Sequence, residues 1–550
     1  MNSNGHLPFI NPATGAQFGQ VAMATEQDIA QAHRQMRENF EIWSRKTPEE
    51  RARILRKFQK VLIDSADEIT GVVNQDTGKS RQDALSELFL VVDKLNIYTR
   101  LAPKWLAPER IPPGIYVFKK YYAERLPYGV VAVIGPWNFP LDLTIPPVYA
   151  ALLAGNTVLL KPSEVTPAVG VLIEKLFQSV PELSPFVRVL HGDGAVGSLL
   201  VQSRPDMVFL TGSTSTGRKV ARATAESLTP FVSELGGKDP MIVLEDANIK
   251  EAAHWGVWGA FFHSGQTCVA VERVYVVEDV YDEFVAAVVA ETQRLKQGYS
   301  PSKANPNDLG PLTFERQVHI IEDHLEDALS RGAEILVGGN RNRLFMEPTV
   351  MVNVNHSMKL MRDETFGPIM PIMKVKNEDE AIRLANDSYY GLSASVWSED
   401  LQRARRVAED LNVGSVVVND TIAHYAVSQL PFGGMKQSGT ARTHGKQDLL
   451  QFTQVRALGV GGTPVFMDVA AKLREPNNYG LMKLLLHLLF GVTPRQRIEP
   501  LANEVGNLAR DAVEIAGEAR KKTPAQVMAA TGIMASLAAL ILSVLGNRKK

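Results

Sequence analysis

Short apolar segments recur between residues 130 and 235, and polar or glycine-rich residues follow each of them. Helix-length segments separate most of these segments, and this alternation is typical of a parallel sheet with helices on its faces. The predicted strands are residues 130–134, 157–160, 187–190, 207–210 and 231–235. Ligands of open α/β sheets bind beyond the carboxyl ends of the strands. The segments that follow the strands therefore predict a binding site; they read GPWNFP, KPSE, HGDG, TGSTSTG and ELGGK.

A second alternating block extends from Pro240 to about Pro431 and predicts another α/β unit. Its predicted strands are residues 241–244, 273–277, 392–396 and 413–418. The first hundred residues carry apolar positions at helical spacing and predict helices. We expect these helices to begin at capping patterns formed by Thr25 with Asp28, Thr47 with Glu50 and Ser65 with Glu68.

The C-terminal part of the chain has a different character. Residues 465–522 predict a helical extension, and its segment 481–492 is too short to span a bilayer, so an interfacial helix and a core helix both remain open. Residues 523–547 hold no charged residue. A helix of about 22 residues is about 33 Å long, enough to cross a hydrocarbon core. We predict a transmembrane anchor at 523–547; the alternative is a helix packed in a protein groove or against another copy.

Composition narrows the function classes. The net charge of −1 gives no electrostatic support for a nucleic-acid partner. The single cysteine, Cys268, excludes an internal disulfide and clustered cysteine metal sites, and no HExxH motif is present, so no metal is expected. These features favour a reducing, cytoplasmic compartment for the folded part of the chain. The N-terminus has no basic region before an apolar stretch, so no secretory signal is predicted.

The only thiol lies in the segment HSGQTCVA, between small and polar neighbours. A lone cysteine is more often a small buried residue than a nucleophile, so Cys268 needs chemical partners before it can be called catalytic. Asn138 follows the first predicted strand and could donate to a developing oxyanion. Glu234 ends the fifth predicted strand, directly before two glycines, and could activate water. The three residues together predict covalent catalysis by a thiol.

A nucleotide site is predicted beyond neighbouring strands. TGSTSTG, with Gly212 and Ser213, lies between a predicted strand and a predicted helix, whose N-terminal amides suit a pyrophosphate. Lys161 and Glu164 of KPSE could hold ribose hydroxyls. A carboxylate at 164 would repel a 2′-phosphate, which favours NAD over NADP while leaving NADP possible. GDGAVG matches GxGxxG in letters, but no ribose-binding acid follows it, so we interpret it as the start of a helix.

In combination, seven segments resemble the aldehyde dehydrogenase superfamily. They are GPWNFP, KPSE, FLTGS, ELGGK, GQTC, ETFGP and PFGGMKQSG, and they occur in the family's order; the resemblance covers about residues 8 to 460. The resemblance implies that Cys268 attacks an aldehyde, that Asn138 and the Cys268 amide hold the oxyanion, and that Glu234 activates water to release the acid. It also implies cofactor-binding roles for Trp137, Lys161, Glu164, Gly212, Ser213, Glu364 and Phe366.

The resemblance further implies an α/β fold with a Rossmann-like cofactor domain, a catalytic domain and a small β arm used in homo-oligomers. We place the cofactor domain at 1–112 and 130–236, the catalytic domain at 237–439, and the arm at 113–129 and 440–456. The C-terminal tail is similar to that of microsomal fatty aldehyde dehydrogenases, which suggests a membrane-held enzyme for long aliphatic aldehydes. Those enzymes lack the segment equivalent to INPATG and the helix after it, which weakens that inference.

Two other functions remain open at this stage. In a CoA-acylating relative, CoA rather than water would release the thioester, and such an enzyme does not need a base at Glu234. A non-catalytic scaffold could keep the fold, but all three chemical positions are intact in this chain. Hydrolytic aldehyde oxidation with NAD or NADP is therefore the favoured prediction.

Overall fold

The computed structural model describes residues 5–114, 119–461, 479–493 and 496. Contacts divide the chain into two compact units. One unit comprises Met1–Ala107 and Arg125–Gln454, and the other comprises Pro108–Glu124 and Val455–Lys550. Both predicted sheets and all the predicted site residues belong to the first unit.

The N-terminal part begins with a hairpin, which corrects the expectation that the first hundred residues are helical. The hairpin strands are β1 (His6–Ile10) and β2 (Gln17–Ala22), and the Asn11 side chain accepts the Ala13 and Thr14 amides in its turn. Four helices follow: α1 (Glu26–Trp43), α2 (Pro48–Asp64), α3 (Ala66–Thr77) and α4 (Arg81–Trp105). The predicted capping boxes at Thr25 and Thr47 are present, whereas the Ser65 side chain makes no capping hydrogen bond.

The first predicted sheet is confirmed, with five parallel strands in the order β7-β6-β5-β8-β9. Its strands are β5 (Val130–Ile134), β6 (Thr157–Lys161), β7 (Val187–Val189), β8 (Met207–Thr211) and β9 (Phe231–Glu234). The connecting helices are α5 (Ile145–Ala154), α6 (Pro167–Gln178), α7 (Gly194–Gln202) and α8 (Thr214–Ala225). Because the strands are parallel, their carboxyl ends meet at one edge and bring Asn138, Lys161 and Glu234 to the same side.

The second sheet has seven strands in the order β12-β15-β16-β11-β10-β17-β18, and only β12 is antiparallel to its neighbour. The strands are β10 (Asp239–Val243), β11 (Val271–Val277), β12 (Glu334–Val337), β15 (Thr349–Val352), β16 (Ile369–Val375), β17 (Ser393–Trp397) and β18 (Ser415–Val418). A small hairpin, β13 (Arg341–Asn342) and β14 (Phe345–Met346), lies between β12 and β15 in sequence.

Sequence reasoning missed β12, β15 and β16. Strand β16 contains Pro371 although it lies in the sheet interior, and an internal proline argues against a central strand. The helices of this part are α9 (Ile249–Phe261), α10 (Tyr281–Thr292), α11 (Glu315–Ser330), α12 (Lys359–Arg362), α13 (Glu378–Asn386), α14 (Leu401–Glu409) and α15 (Gly445–Gln451).

The second unit contains a three-stranded sheet in the order β19-β4-β3. Its strands are β3 (Glu109–Ile111), β4 (Lys119–Pro127) and β19 (Thr453–Gly461), close to the segments predicted for the arm. Helix α16 (Tyr479–Phe490) falls within the predicted C-terminal extension. The predicted anchor at 523–547 lies outside the described residues. Among the residues described, no helix has the length and apolar character needed to cross a bilayer.

Candidate active site

The turn before Cys268 holds the thiol in place. His263 and Ser264 adopt left-handed conformations, with φ of 51° and 56°, in the 3-10 turn Phe262–Gly265. Gly265 follows with φ of 70°, and a Cβ atom there would lie 2.2 Å from the Gly367 carbonyl oxygen. Only glycine fits this approach. The turn thus packs directly on the loop that carries the ETFGP segment.

Gln266 ties this turn to its surroundings from a fully buried position. Its side-chain amide donates to the His263 carbonyl at 3.1 Å and accepts the Thr313 amide at 2.8 Å. Asn138 Nδ2 donates to the Gln266 carbonyl at 3.1 Å, two residues before Cys268. The structure therefore brings the predicted oxyanion donor next to the nucleophile turn.

Glu234 lies at the end of β9 and is only 2% exposed. Burial raises the pKa of Glu234 to about 8, and a hydrogen bond with the Cys268 side chain opposes part of that rise. Its Oε1 atom is buried and receives no hydrogen bond from a nitrogen or oxygen donor of the described residues. A carboxyl group in this state can take up a proton near neutral pH.

Cys268 is half-buried and free. Burial, followed by the carboxyl groups of Glu234, Asp239 and Glu364, raises the pKa of its thiol well above the ordinary value. In this form of the protein the thiol is therefore protonated at neutral pH. A base must remove its proton before or during attack on a carbonyl, and Glu234 is the carboxyl group with the largest effect on the thiol pKa.

The loop that carries Glu364 is fixed by a buried lysine–glutamate pair. Glu272 accepts the Thr365 and Phe366 amides, each at 2.8 Å, and its carboxylate lies 2.6 Å from Lys238 Nζ. Lys238 also donates to Thr365 Oγ1 at 3.0 Å. Glu364 Oε1 accepts the Gly237 amide at 2.9 Å, so the loop is also tied to the residues after Glu234.

The predicted nucleotide-binding residues follow neighbouring strands of the five-stranded sheet. Lys161 Nζ donates to Glu164 Oε2 at 3.1 Å, and the Glu164 side chain keeps 41% of its surface exposed, so it can accept hydrogen bonds from ribose hydroxyls. Ser213 caps the N-terminus of α8 by accepting the Thr216 amide at 3.3 Å. The Gly212 amide already donates to the Glu234 carbonyl, which leaves the other N-terminal amides of α8 for a pyrophosphate. These groups fit a dinucleotide.

Trp137 and Phe366 lie at one side of the thiol-bearing turn. Their rings meet edge to face with centroids 5.4 Å apart, and Trp137 contacts Phe314 in the same manner at 4.9 Å. Phe366 has a left-handed φ of 52°. Trp137 and Phe366, both predicted cofactor residues, therefore contact each other, and Phe366 belongs to the loop that holds Glu364.

Sequence reasoning missed an aromatic row that begins at the cluster containing Cys268. Phe262 and Tyr425 pack against the small apolar cluster that includes Cys268. The Phe262 ring stacks near Phe139, at 6.2 Å, and continues to Trp258 at 5.4 Å; Trp258 in turn lies 5.6 Å from Trp255. The spacing of residues 255, 258 and 262, directly before HSGQTC, is helical and could have revealed one face of α9.

The comparisons with known proteins agree with this geometry. The model of the Aldehyde dehydrogenase family matches residues 1–458. The chain belongs to the aldehyde dehydrogenase family. It is an oxidoreductase that acts on aldehydes.

Known aldehyde dehydrogenases and related enzymes resemble the chain over most of its length. It is 41% identical over 447 residues to 4,4'-diapolycopene aldehyde oxidase from Methylomonas sp, covering 81% of this chain and 84% of that protein. Betaine aldehyde dehydrogenase from Staphylococcus aureus, solved with NAD+, is 31% identical with a TM-score of 0.80, covering 84% and 93%. Glyceraldehyde-3-phosphate dehydrogenase from Methanocaldococcus jannaschii, solved with NADP, is 26% identical with a TM-score of 0.78, covering 83% and 99%.

The raised thiol pKa can be tested in this aldehyde dehydrogenase by alkylation with iodoacetamide. Only the thiolate reacts, so we expect the rate at Cys268 to rise about tenfold per pH unit between about pH 7 and pH 9. Because the chain has no other cysteine, a Cys268→Ala variant should incorporate no label and serves as the control. A rate that is already constant from pH 7 upward would contradict the raised pKa.

Proposed function

We propose that the protein oxidises an uncharged, apolar aldehyde to its carboxylic acid with NAD or NADP, through a thioester on Cys268. The observation that carries this proposal is the contact between Glu234 and the only thiol of the chain. Asn138 lies close to both, because its side chain donates to the carbonyl of Gln266, two residues before Cys268. This arrangement supports the roles of nucleophile, base and oxyanion donor for Cys268, Glu234 and Asn138.

In the first step the Cys268 sulfur bonds to the carbonyl carbon, and the thiol proton passes to Glu234. The carbonyl oxygen becomes an oxyanion, which accepts hydrogen bonds from Asn138 Nδ2 and the Cys268 amide. Asn138 must exchange its present partner, the Gln266 carbonyl, for this oxyanion. Removing one such donor costs about 10²–10³ in rate.

The bound dinucleotide supplies the hydride acceptor that turns the hemithioacetal into a thioester. Glu164 and Lys161 would hold its adenosine ribose, the N-terminus of α8 its pyrophosphate, and Glu364 its nicotinamide ribose. The exposed Glu164 carboxylate favours NAD, because a 2′-phosphate beside it would be repelled. A solved relative contains NAD+ and another contains NADP, which supports a site for either dinucleotide.

Before the last step Glu234 must release the thiol proton to solvent; it then takes a proton from water, the resulting hydroxide attacks the thioester, and the Cys268 sulfur leaves as a thiolate. A pKa of about 8 means that the ionised base is a minority species at pH 7 and predominates above pH 8. Hydrolysis therefore becomes faster as the pH rises through 8. A CoA-acylating enzyme would need no such base, so the buried Glu234 favours release by water over release by CoA.

The substrate side of the thiol favours an extended apolar aldehyde. The rings of Phe139, Phe262, Trp258 and Trp255 form a continuous row that leads away from the Cys268 cluster. Two charged side chains contact the ends of this row: Lys79, which is 1% exposed and lies against Phe139, and Glu251, which accepts Trp255 Nε1 at 3.2 Å. A carboxylate or phosphate on the substrate would thus meet aromatic rings. The named relative that acts on 4,4'-diapolycopene aldehyde supports the same substrate class.

A product assay tests this function. Purified protein is mixed with NAD or NADP and straight-chain aldehydes from acetaldehyde to hexadecanal, with and without CoA, in detergent. We expect the nicotinamide to be reduced and the free acid to be released, both at the same rate with or without CoA. Long aldehydes should have the highest kcat/KM. Glyceraldehyde 3-phosphate and succinate semialdehyde serve as charged controls.

Two outcomes would contradict the proposal. Acyl-CoA as the sole product would replace hydrolysis with acyl transfer. No nicotinamide reduction with any aldehyde would favour a scaffold that keeps the fold without the reaction.

We also propose that the enzyme is a homo-oligomer held at a membrane by residues 523–547, with its catalytic unit in a reducing, cytoplasmic compartment. The absence of charge from 523 to 547 supports the anchor. Helix α16 supports membrane contact, since Tyr479, Met482, Leu486 and Phe490 are exposed.

The edge strand β18 reads SVVV with half-buried valines, which favours pairing with another copy. The lone catalytic thiol needs a reducing compartment.

Fractionation of cells that express the full chain or a variant lacking residues 523–550 tests both features. We expect the full chain to sediment with membranes and resist extraction by salt and carbonate. The shortened variant should move to the soluble fraction, and light scattering should give it the mass of two or more chains. A full chain that is soluble without detergent would contradict the anchor, and a monomeric variant would contradict the oligomer.

A further inference from the structure

A second buried lysine–glutamate pair lies beneath the loop that carries Asn138. Lys79 Nζ is 2.9 Å from Glu87 Oε2, and the two side chains are 1% and 0% exposed. Lys79 directly follows Gly78, which ends α3 in the left-handed conformation, and Glu87 belongs to α4. Neither residue is among those assigned to the reaction above.

The pair holds the Asn138 loop at three backbone positions. Lys79 Nζ donates to the Asn138 carbonyl at 2.8 Å, while Glu87 Oε1 accepts the Leu141 amide at 2.7 Å and the Asp142 amide at 3.0 Å. The Lys79 ammonium also lies 4.3 Å from the centre of the Phe139 ring. The backbone from the Asn138 carbonyl to the Asp142 amide is therefore fixed by the same two charges.

Stability alone is a poor explanation for such a pair. Taking two charges out of water is costly, and apolar residues of similar volume often stabilise a protein equally well. What an apolar pair cannot supply is a donor for a carbonyl and an acceptor for two adjacent amides. The pair over Glu364, Lys238 with Glu272, makes the same kind of backbone contacts on a different loop.

We propose that Lys79 and Glu87 are positioning residues for the oxyanion donor: they set the backbone of the Asn138 loop so that Nδ2 reaches the developing charge. This inference rests on the proposed function. Asn138 Nδ2 can serve either the Gln266 carbonyl or an oxyanion only if its own main chain stays in place. A misplacement of about 1 Å at a reacting group costs about a hundredfold in rate.

A double-mutant cycle on the single-turnover rate of nicotinamide reduction tests the proposal. Lys79→Met keeps the apolar stem and removes the donor, and we expect it to lower the rate about tenfold to a hundredfold. In an Asn138→Ala background the same change should cost less than about threefold, because the group being positioned is already gone. The affinity for NAD should not change in either background.

Lys238→Met is the matched control, since it breaks the other buried pair and acts on the Glu364 loop. We expect its effect to be the same factor with and without Asn138. Glu87→Gln is a second variant in case Lys79→Met does not fold, because it keeps the size of the side chain and an acceptor. Its neutral amide binds Lys79 and the two backbone amides less strongly than a carboxylate, so it should lower the rate less than Lys79→Met, and only in the protein that keeps Asn138. Equal losses from Lys79→Met in both backgrounds, or no loss in either, would overturn the proposal.

Hydrogen exchange separates this inference from the proposed function, because it needs no turnover. The Leu141 and Asp142 amides donate to Glu87, and this buried carboxylate loses its ion-pair partner when Lys79 is replaced. We therefore expect the two amides to exchange faster in Lys79→Met than in the wild type or in Lys238→Met. Unchanged protection would contradict the positioning role even in a protein that oxidised no aldehyde. An inactive wild type with the expected exchange would overturn only the proposed function.

Discussion

The interaction between the buried Glu234 carboxyl and the Cys268 thiol, which shifts the pKa of both groups, is the one around which the site is arranged. Burial raises the pKa of both groups, and Asp239 and Glu364 raise that of the thiol further. The Cys268 thiol therefore stays protonated before an aldehyde binds, and the ionised form of Glu234 is basic enough to take its proton. The later need for a base toward water is met by the same oxygen atoms. One buried carboxyl group can thus act in both halves of the proposed reaction.

Two loops must stay fixed on either side of this contact, and the structure fixes them in the same way. Glu87 accepts two consecutive amides beneath the Asn138 loop, and Glu272 accepts two consecutive amides beneath the Glu364 loop. A buried lysine neutralises each carboxylate. Burying these charges costs solvation free energy, and the charges in turn fix the backbone of the two loops. The Asn138 loop and the Glu364 loop are therefore held independently of each other.

The sheet that positions the site could be predicted because its five strands are short, apolar and followed by distinctive segments. The seven-stranded sheet was predicted less completely, since Pro371 interrupts β16 and the hairpin of residues 6–22 resembles no helix or buried strand. Cys268, Glu234 and Asn138 were predicted through their segments, and the structure brings them close together. Lys79 and Glu87 could not be found in this way, because a charged residue looks the same in sequence whether it is buried or exposed, and the Asn138 carbonyl is 59 positions away from Lys79.

The central claim, that Cys268 carries the acyl group, is tested most directly by the mass of the protein during the reaction. A Glu234→Gln variant lacks the base for both steps, but above about pH 9 a fraction of the thiol ionises without that base, so mixing the variant with NAD and decanal at this pH should slowly add the mass of one decanoyl group to the peptide that contains Cys268. Loss of the base should slow release of the acid by about 10²–10⁴. Finding no acyl group on that peptide while the acid accumulates at the wild-type rate would contradict the account.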